Sequence, residues 1–162
     1  MRAVIGVGAN LGDRLSTLAR AEACVRGLQG VTSVHRSRLY ETVPVGGPPQ
    51  PSFVNGALLV QFRAPVPATE LVEWLLEIER TLGRVRGPER NGPRTIDLDL
   101  LWIDGMRSLA SSALVPHPRL IERAFALAPL LDLVPEALDP QGVAYATHLD
   151  RLDRSGIRVL RA

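Results

Sequence analysis

The feature that most constrains the fold is an apolar segment, residues 95–103, interrupted at alternate positions by two aspartates. Side chains alternate between the two faces of a β-strand, so Leu98 and Leu100 point to one face. Asp97 and Asp99 then share the other face, with Cα atoms roughly 6–7 Å apart. The segment therefore predicts a strand with one face in a core and two carboxylates on the other.

The two carboxylates need a partner of opposite charge. Like charges this close disfavour each other's ionised form unless a cation lies between them. Mg²⁺ suits such a pair, because it binds one or two carboxylates and completes its shell with water and substrate phosphates. The alternative is that Asp97 and Asp99 form salt bridges with nearby arginines on a solvated sheet face. Four arginines just upstream, which suit a phosphate ligand, favour the metal site.

These arginines lie in a segment, residues 83–94, that also holds glycines and prolines. Arg84, Arg86, Arg90 and Arg94 are spaced by two or four positions, and the glycines and prolines prevent a continuous helix or strand. A guanidinium presents a planar fork of donors that matches phosphate oxygens. We predict a loop that closes over a triphosphate; a solvated basic loop or an RNA-contacting segment is the alternative.

Composition narrows the choice of phosphate ligands. All 19 basic residues are arginine and none is lysine. A lysine therefore cannot be the phosphate ligand, the Schiff-base amine or the proton carrier, and a Walker A loop is excluded. The formal net charge of +2 is too small to argue for nucleic acid by itself. Arginine must fill every cationic role.

Length and apolar content, 46% of 162 residues, favour one compact domain over residues 1–162. The lone Cys24 excludes an internal disulfide and a cysteine metal cage, and fits a reducing compartment. The N-terminus lacks a signal-peptide pattern, and no apolar run reaches the roughly 20 residues of a membrane helix. We expect a soluble cytoplasmic protein with no membrane partner.

Two smaller motifs have a structural and a functional interpretation. The glycine-rich residues 6–12 follow a strand and precede a helix, but Leu11 occupies the third glycine position of a dinucleotide fingerprint. We instead expect the glycines to permit a tight strand exit and Asn10 to cap the helix or brace a neighbouring loop. His117 lies between two prolines before a predicted helix, where it is structural or donates to a phosphate.

Apolar periodicity predicts alternating strands and helices. Strands are expected at residues 3–9, 31–40, 53–62 and 95–103, with a short strand near 106–109, and helices at 13–28, between Pro65 or Pro67 and Gly83, and at 118–133. A proline-rich loop, residues 41–52, joins the second and third strands. The order strand, helix, strand, strand, helix, strand predicts an α+β, ferredoxin-like fold with helices packed on an antiparallel sheet. The remainder is weakly patterned.

A family resemblance rests on residues 92–100, Gly-Pro-Arg-Thr-Ile-Asp-Leu-Asp-Leu. This run closely resembles the signature of the 6-hydroxymethyl-7,8-dihydropterin pyrophosphokinases. Residues 8–12, 40–46, 50–55 and 115–117 are similar to that family in the same order. The resemblance extends from Ala3 to about Leu138.

The resemblance implies a monomeric ferredoxin-like enzyme of folate synthesis. Such an enzyme binds ATP with two Mg²⁺ ions, passes the β,γ-diphosphate to the hydroxymethyl group of the pterin and releases AMP. It has no nucleic-acid partner.

Roles for individual residues follow from the same resemblance. The catalytic set is Arg84, Arg86, Arg90, Arg94, Asp97 and Asp99, in which the aspartates bind both metal ions and Arg86 and Arg90 belong to a mobile loop. Nucleotide contacts come from Glu79, Arg84, Arg94, His117 and Arg123. The pterin site comprises backbone groups of Thr42, Pro44 and Val45, the Asn55 amide, and the rings of Phe53 and Phe125 on either side of the pterin.

Several positions depart from the family pattern, namely Phe53, Leu76, Asn91, Ser112 and Pro118, and four of these concern the adenine and loop contacts.

Two other functions compete with this interpretation. One is a nonenzymatic RNA-binding module, which would need aromatic residues on the central strands where the chain has acids. The other is a metal-dependent nucleotidyltransferase that keeps the aspartates but acts on another acceptor.

Overall fold

The structure, a computed structural model, describes residues 1–85 and 91–161. The strands are β1 Arg2–Ala9, β2 Val31–Arg36, β3 Tyr40–Thr42, β4 Phe53–Phe62, β5 Asp97–Ile103 and β6 Ile157–Val159. The helices are α1 Arg14–Arg26, α2 Ala68–Thr81, α3 Ala124–Leu133 and α4 Tyr145–Asp150, with a 3₁₀ turn at Leu120–Glu122. Within the described residues no helix is long and apolar enough to cross a membrane.

The strands form one antiparallel sheet in the order β5-β1-β4-β3-β6, and β2 also pairs with β4. Alternation along β1 sends side chains to two separate cores. Ile5 belongs to the same core cluster as Leu71 of α2 on one face, whereas Val4 belongs to the same cluster as Leu127 of α3 on the other. The expected α+β class, an antiparallel sheet with packed helices, is confirmed, and the helices cover both faces.

The predicted strand over residues 31–40 was wrong in one respect, because it is two strands. Residues 37–39 separate β2 from β3, and the buried Ser37 occupies the break. Its Oγ accepts from the Ala57 N–H at 2.9 Å and donates to the Arg38 carbonyl at 2.6 Å. The Ser37 hydroxyl thus takes the place of a backbone acceptor for the Ala57 N–H of β4. The two short strands on either side of this break both pair with β4.

The helix expected over residues 118–133 is also divided. It consists of the 3₁₀ turn and α3, separated by Arg123 in an extended conformation. The strand expected near residues 106–109 is only an isolated bridge between Ser108 and Val115. Neither α4 nor β6 was predicted, since both are too short for their periodicity to be recognised.

The other expected elements are present, with boundaries that local chemistry explains. The strand over residues 53–62 has the expected bounds. Asp13 accepts from the Ser16 N–H at 3.0 Å and so caps α1. The helix that was expected after the prolines starts at Ala68, with Pro67 in the capping position. Gly83 follows it with a φ of +83°, the left-handed conformation that ends helices.

Candidate functional site

A cavity of about 720 Å³ opens at one end of the sheet, where β3, β4 and β5 meet α2 and α3. Every predicted site residue that the structure describes lines it: Thr42, Pro44, Val45, Phe53, Asn55, Glu79, Arg84, Arg94, Asp97, Asp99, His117, Arg123 and Phe125. Arg86 and Arg90, and with them the expected closure of their loop, lie outside the described residues. Residues distant in the sequence are therefore collected around one cavity.

Asp97 and Asp99 line the cavity and are partly exposed, while Leu98 and Leu100 between them are buried in the core, where they also border the cavity. This is the alternation that the sequence predicts. Asp97 uses both carboxylate oxygens, because Arg84 Nη1 lies 2.5 Å from Oδ1 and Arg94 Nη1 lies 2.8 Å from Oδ2. The arginine salt bridges considered from sequence are therefore formed at Asp97.

Glu79 of α2 contacts this cluster from the buried side. Its buried carboxylate accepts from the Leu98 backbone N–H at 2.8 Å and from Arg84 Nη1. Burial alone would lower the pKa of Arg84, but Asp97 and Glu79 outweigh burial and raise it. The Arg84 guanidinium is thus held as a cation between two carboxylates.

Asp99 is less tightly paired than Asp97. Its nearest described cation is Arg123, whose Nη1 lies 3.6 Å from Oδ2, and 39% of the Asp99 side chain is exposed to the cavity. Burial and the neighbouring charge of Asp97 nevertheless raise the pKa of Asp99 to about 6, against the opposing effect of Arg123. An added cation would relieve this cost, which is the electrostatic property expected of a metal ligand.

The donor set fits Mg²⁺ only with help from a substrate. Among the described residues, no three His, Cys, Asp or Glu side chains lie together as a complete metal cage. Asp97 and Asp99 supply carboxylate oxygens, and Mg²⁺ commonly takes its remaining ligands from water and nucleotide phosphates. The two aspartates therefore suit a metal that arrives with a polyphosphate.

Asn10 braces two loops, as one of its sequence interpretations predicts. Its Oδ1 accepts from the Arg94 N–H at 2.8 Å, and its Nδ2 donates to Gln50 Oε1 at 2.9 Å and to the Pro51 carbonyl at 3.0 Å. Gln50 in turn donates to the Asn91 carbonyl at 2.8 Å. The proline-rich loop is therefore tied to the residues that precede β5.

Backbone conformation explains two residues at this junction. Asn91 has a φ of +58°, a region that asparagine tolerates better than most residues. Gly47 also has a positive φ, and a Cβ there would lie 2.4 Å from the Asn91 carbonyl oxygen. The close approach of the two loops thus requires glycine at this position.

The cavity also carries the polar and aromatic groups expected to hold a pterin. Asn55 Nδ2 donates to Thr42 Oγ1 at 2.7 Å. The Phe53 ring lies 5.7 Å from the Arg94 guanidinium carbon, and the Phe125 ring lies at the same distance from that of Arg123. Each ring thus lies beside one arginine of the charged end.

His117 enters the cavity as a neutral donor. Its Nδ1 accepts from the Arg119 N–H at 3.1 Å, so the ring proton is assigned to Nε2. Burial, followed by the charges of Arg123 and Arg119, lowers the pKa of His117 to about 4. The histidine can therefore donate one hydrogen bond to an oxygen at neutral pH without carrying a charge.

Sequence reasoning missed several residues of the cavity, and these include two groups. Gln50 lies in a segment that carried the family resemblance, but no role had been assigned to it. The other group is a chain segment near the C-terminus that includes Asp153, Ser155, Gly156 and Ile157. Only the short alternation around Ile157 could have indicated that second group.

The family comparison agrees with the resemblance seen in the sequence. Residues 4–135 match the model of the 7,8-dihydro-6-hydroxymethylpterin-pyrophosphokinase family.

Curated relatives carry the corresponding name. A Bacillus subtilis 2-amino-4-hydroxy-6-hydroxymethyldihydropteridine pyrophosphokinase is 38% identical over 97% of this chain and 89% of its own length. A Methylorubrum extorquens protein of the same name is 38% identical over 96% of each chain. A mitochondrial folate synthesis bifunctional protein of Arabidopsis thaliana is 41% identical over 88% of this chain, which spans only 25% of that longer protein.

Solved structures show the same fold. A crystal structure of an HPPK-DHPS protein in complex with substrates superposes with a TM-score of 0.70 at 13% identity, covering 99% of this chain and 46% of that one. An HPPK-DHPS of Plasmodium falciparum superposes with a TM-score of 0.64, also at 13% identity, covering 93% of this chain and 43% of that one.

Proposed function

The chain belongs to the 7,8-dihydro-6-hydroxymethylpterin-pyrophosphokinase family, the pterin pyrophosphokinases of folate synthesis, and we propose how its residues carry out the transfer. The donor is ATP, and the acceptor is the hydroxymethyl group of 6-hydroxymethyl-7,8-dihydropterin. The observation that carries this proposal is the cluster of Asp97 and Asp99 with three guanidinium groups, those of Arg84, Arg94 and Arg123. This cluster suits a magnesium–triphosphate complex.

Asp97 and Asp99 would hold two Mg²⁺ ions together with phosphate oxygens and water. When bound, the ions neutralise the triphosphate and polarise the phosphorus under attack. The raised pKa of Asp99, caused by burial and Asp97, supports this assignment, because it indicates an uncompensated negative charge.

Arg84 and Arg94 are the proposed phosphate ligands. Both guanidinium groups are paired with Asp97 in the structure, so a cation at Asp97 would leave them available to phosphate oxygens. Glu79 would keep Arg84 charged and in place, and His117 would donate its Nε2 proton to a nucleotide oxygen. Arg86 and Arg90 are proposed to act on the same phosphates.

The acceptor would occupy the end of the cavity formed by Thr42, Pro44, Val45 and Asn55, with Phe53 and Phe125 against its ring. An amide side chain can both donate to and accept from the polar edge of a flat heterocycle, and aromatic rings stack on the faces of the heterocycle. The hydroxymethyl group would then point towards Asp97 and Asp99.

In the transfer, the hydroxyl oxygen of the acceptor forms a bond to the β-phosphorus of ATP. The bond between that phosphorus and the oxygen bridging to the α-phosphorus breaks, the bridging oxygen leaves with AMP, and the hydroxyl proton is released. Arg84 and Arg94 would stabilise the negative charge that develops on the transferred group.

Product identity is the direct test. Incubation with ATP, Mg²⁺ and 6-hydroxymethyl-7,8-dihydropterin should give equal amounts of AMP and pterin diphosphate, measured by ³¹P NMR. Pyrophosphate with an adenylated acceptor would indicate a nucleotidyltransferase instead. Calorimetry should show pterin binding in the presence of Mg²⁺ and a nonhydrolysable ATP analogue, whereas binding of an RNA oligonucleotide would support the RNA-binding alternative.

We also propose that one chain is sufficient for activity. The family resemblance implies a monomer, and sedimentation equilibrium of the active enzyme would test this. We assign the enzyme to the cytoplasm, where ATP is available and a free thiol such as that of Cys24 remains reduced.

A further inference from the structure

A segment close to the C-terminus, residues 153–159, forms one wall of the cavity at its acceptor end. This segment, here called the strap, includes β6 and lies beyond residues 4–135, the part that matches the family model. Asp153, Ser155, Gly156 and Ile157 of the strap line the cavity. The family model therefore does not extend to this wall.

The strap pairs with β3, which overlaps the start of the proline-rich loop at Glu41 and Thr42. Thr42 lies opposite Ile157 in the antiparallel register. The Val43 N–H donates to the Gly156 carbonyl at 2.9 Å. Val43 is the first residue after β3, so the strap fixes the backbone where the proline-rich loop leaves the sheet.

The same short strand is held from its other side by β4. Asn55 of β4 donates its side-chain amide to Thr42 Oγ1 at 2.7 Å, and β3 lies between β4 and β6 in the sheet. A three-residue strand at the edge of a sheet frays easily, because few backbone bonds hold it. Pairing on both sides removes that freedom at Thr42.

A side-chain pair reinforces this pairing. Arg158 Nε and Nη2 donate to Glu41 Oε2 at 3.0 and 2.6 Å, across the register pair of these residues. Arg14 lies 3.9 Å from the other Glu41 oxygen and donates to the Ser52 carbonyl at 2.8 Å. Glu41 therefore connects the strap to the opposite end of the proline-rich loop.

We propose that the strap is a positioning element for the acceptor substrate, in which Arg158 acts through Glu41 and Ile157 forms part of the cavity wall. It would hold Thr42 and Val43 in the conformation that binds the acceptor, while the nucleotide half, built on β5 and α2, remains independent of it. The inference rests on the proposed function, which assigns the acceptor to this end of the cavity.

The first test uses charge reversal in the full chain. Arg158→Glu places two carboxylates opposite each other and should raise the Kd of hydroxymethylpterin, measured with Mg²⁺ and an ATP analogue, about three- to tenfold. The Kd of the ATP analogue alone should stay within about twofold, and Arg158→Lys should restore acceptor binding. Arg2→Glu is the matched control, because Arg2 Nε and Nη2 contact Asp104 Oδ2 at 3.0 and 2.7 Å, away from the cavity.

The second test compares two residues of β6 whose side chains share a face. Ile157→Ala should weaken acceptor binding and raise the acceptor KM more than it changes kcat, whereas Val159→Ala, an exposed residue that does not line the cavity, should leave both unchanged. Thermal unfolding of both variants separates loss of fold from loss of positioning.

These tests separate failure of the strap's role from failure of the proposed function. Wild-type protein that neither binds the pterin nor forms AMP would overturn both. Active wild-type protein in which Arg158→Glu and Ile157→Ala leave acceptor binding unchanged, or weaken both ligands equally, would overturn the strap's role alone.

Discussion

Arg84 Nη1 lies 2.5 Å from Asp97 Oδ1, so the proposed phosphate ligand and the proposed metal ligand are bound to each other. Arg94 completes the arrangement at the second Asp97 oxygen. When a magnesium–triphosphate complex binds, Asp97 would exchange the arginines for the metal, and the arginines would exchange Asp97 for the phosphates. No charge would be left unpaired in this exchange. The two arginines thus neutralise Asp97, whereas Asp99 keeps only the more distant contact with Arg123.

The metal assignment predicts a loss of chemistry without loss of fold. Asp97→Asn and Asp99→Asn should each lower kcat by at least about a thousandfold, or ~4 kcal/mol at the barrier, because the triphosphate loses its charged metal ligands. Circular dichroism should remain that of the wild type. Asp104→Asn, just past the end of β5, is the control, and normal turnover of either site variant at limiting Mg²⁺ would contradict the assignment.

The position of Gly8 leads to a prediction about how the Asn55 side-chain amide is held against the acceptor. In β1 it lies opposite both Asn55 of β4 and Asp97 of β5, and a Cβ there would come 2.2 Å from Asn55 Oδ1. Gly8→Ala should therefore displace the amide and raise the acceptor Kd about tenfold, as Asn55→Ala should, with ATP binding little changed. Calorimetry with each ligand measures both effects.

A double mutant and a neighbouring glycine sharpen this prediction. Gly8→Ala combined with Asn55→Ala should bind the acceptor no more weakly than Asn55→Ala alone, because both changes remove one interaction. Gly6→Ala, two residues earlier, meets the Leu101 side chain at 3.2 Å and should affect packing instead. Additive losses in the double mutant would show that Gly8 acts independently of Asn55.

Glu79 predicts a cost in stability. Glu79→Ala would leave the buried Leu98 N–H without this acceptor and Arg84 without one of its two carboxylates. We expect the free energy of unfolding to fall by about 3 kcal/mol in urea titrations, and less for Glu79→Gln, which keeps an oxygen for the Leu98 N–H. Glu77→Ala, which removes an exposed partner of Arg80, should cost under about 1 kcal/mol. Equal losses at both positions would contradict this role.

His117 predicts a pH dependence of folding. Burial, with Arg123 and Arg119, lowers its pKa to about 4, whereas histidine in an unfolded chain titrates near 6.5. Between these values the unfolded chain binds a proton that the folded chain does not, so the free energy of unfolding falls as pH drops from about 6.5 to about 4. His117→Gln should lose less stability than the wild type over that window, measured by urea titration without ligands.

The pH dependence of wild-type stability alone does not isolate His117, because the titration of Asp99 changes the free energy of unfolding in the opposite direction. The wild type must therefore be compared with His117→Gln. The pKa of Asp99 is raised to about 6, so the folded chain takes up a proton there before the unfolded chain does, and stabilisation grows as the pH falls through that value. His35→Gln, on an exposed part of β2, controls for removing a histidine. An identical pH dependence in wild type and His117→Gln would contradict the assignment.

The sequence by itself determined what depends on neighbouring residues. Alternation along residues 95–103 was enough to put Asp97 and Asp99 on one face, and the family signature was enough to name the reaction. The spacing of Leu71, Leu75 and Ile78 likewise fixed the buried face of α2. These features are local, because strand and helix periods follow from backbone geometry.

Only the tertiary structure decided which distant residues meet. The register of β1 brings Gly8 opposite both Asn55 and Asp97, and the break at Ser37 lets β3 pair with β4 and β6. The strap reaches the cavity through backbone hydrogen bonds, which any residue but proline can donate and which therefore leave little trace in a single sequence. Such contacts depend on strand register and chain path, and these are settled by the packing of the whole domain.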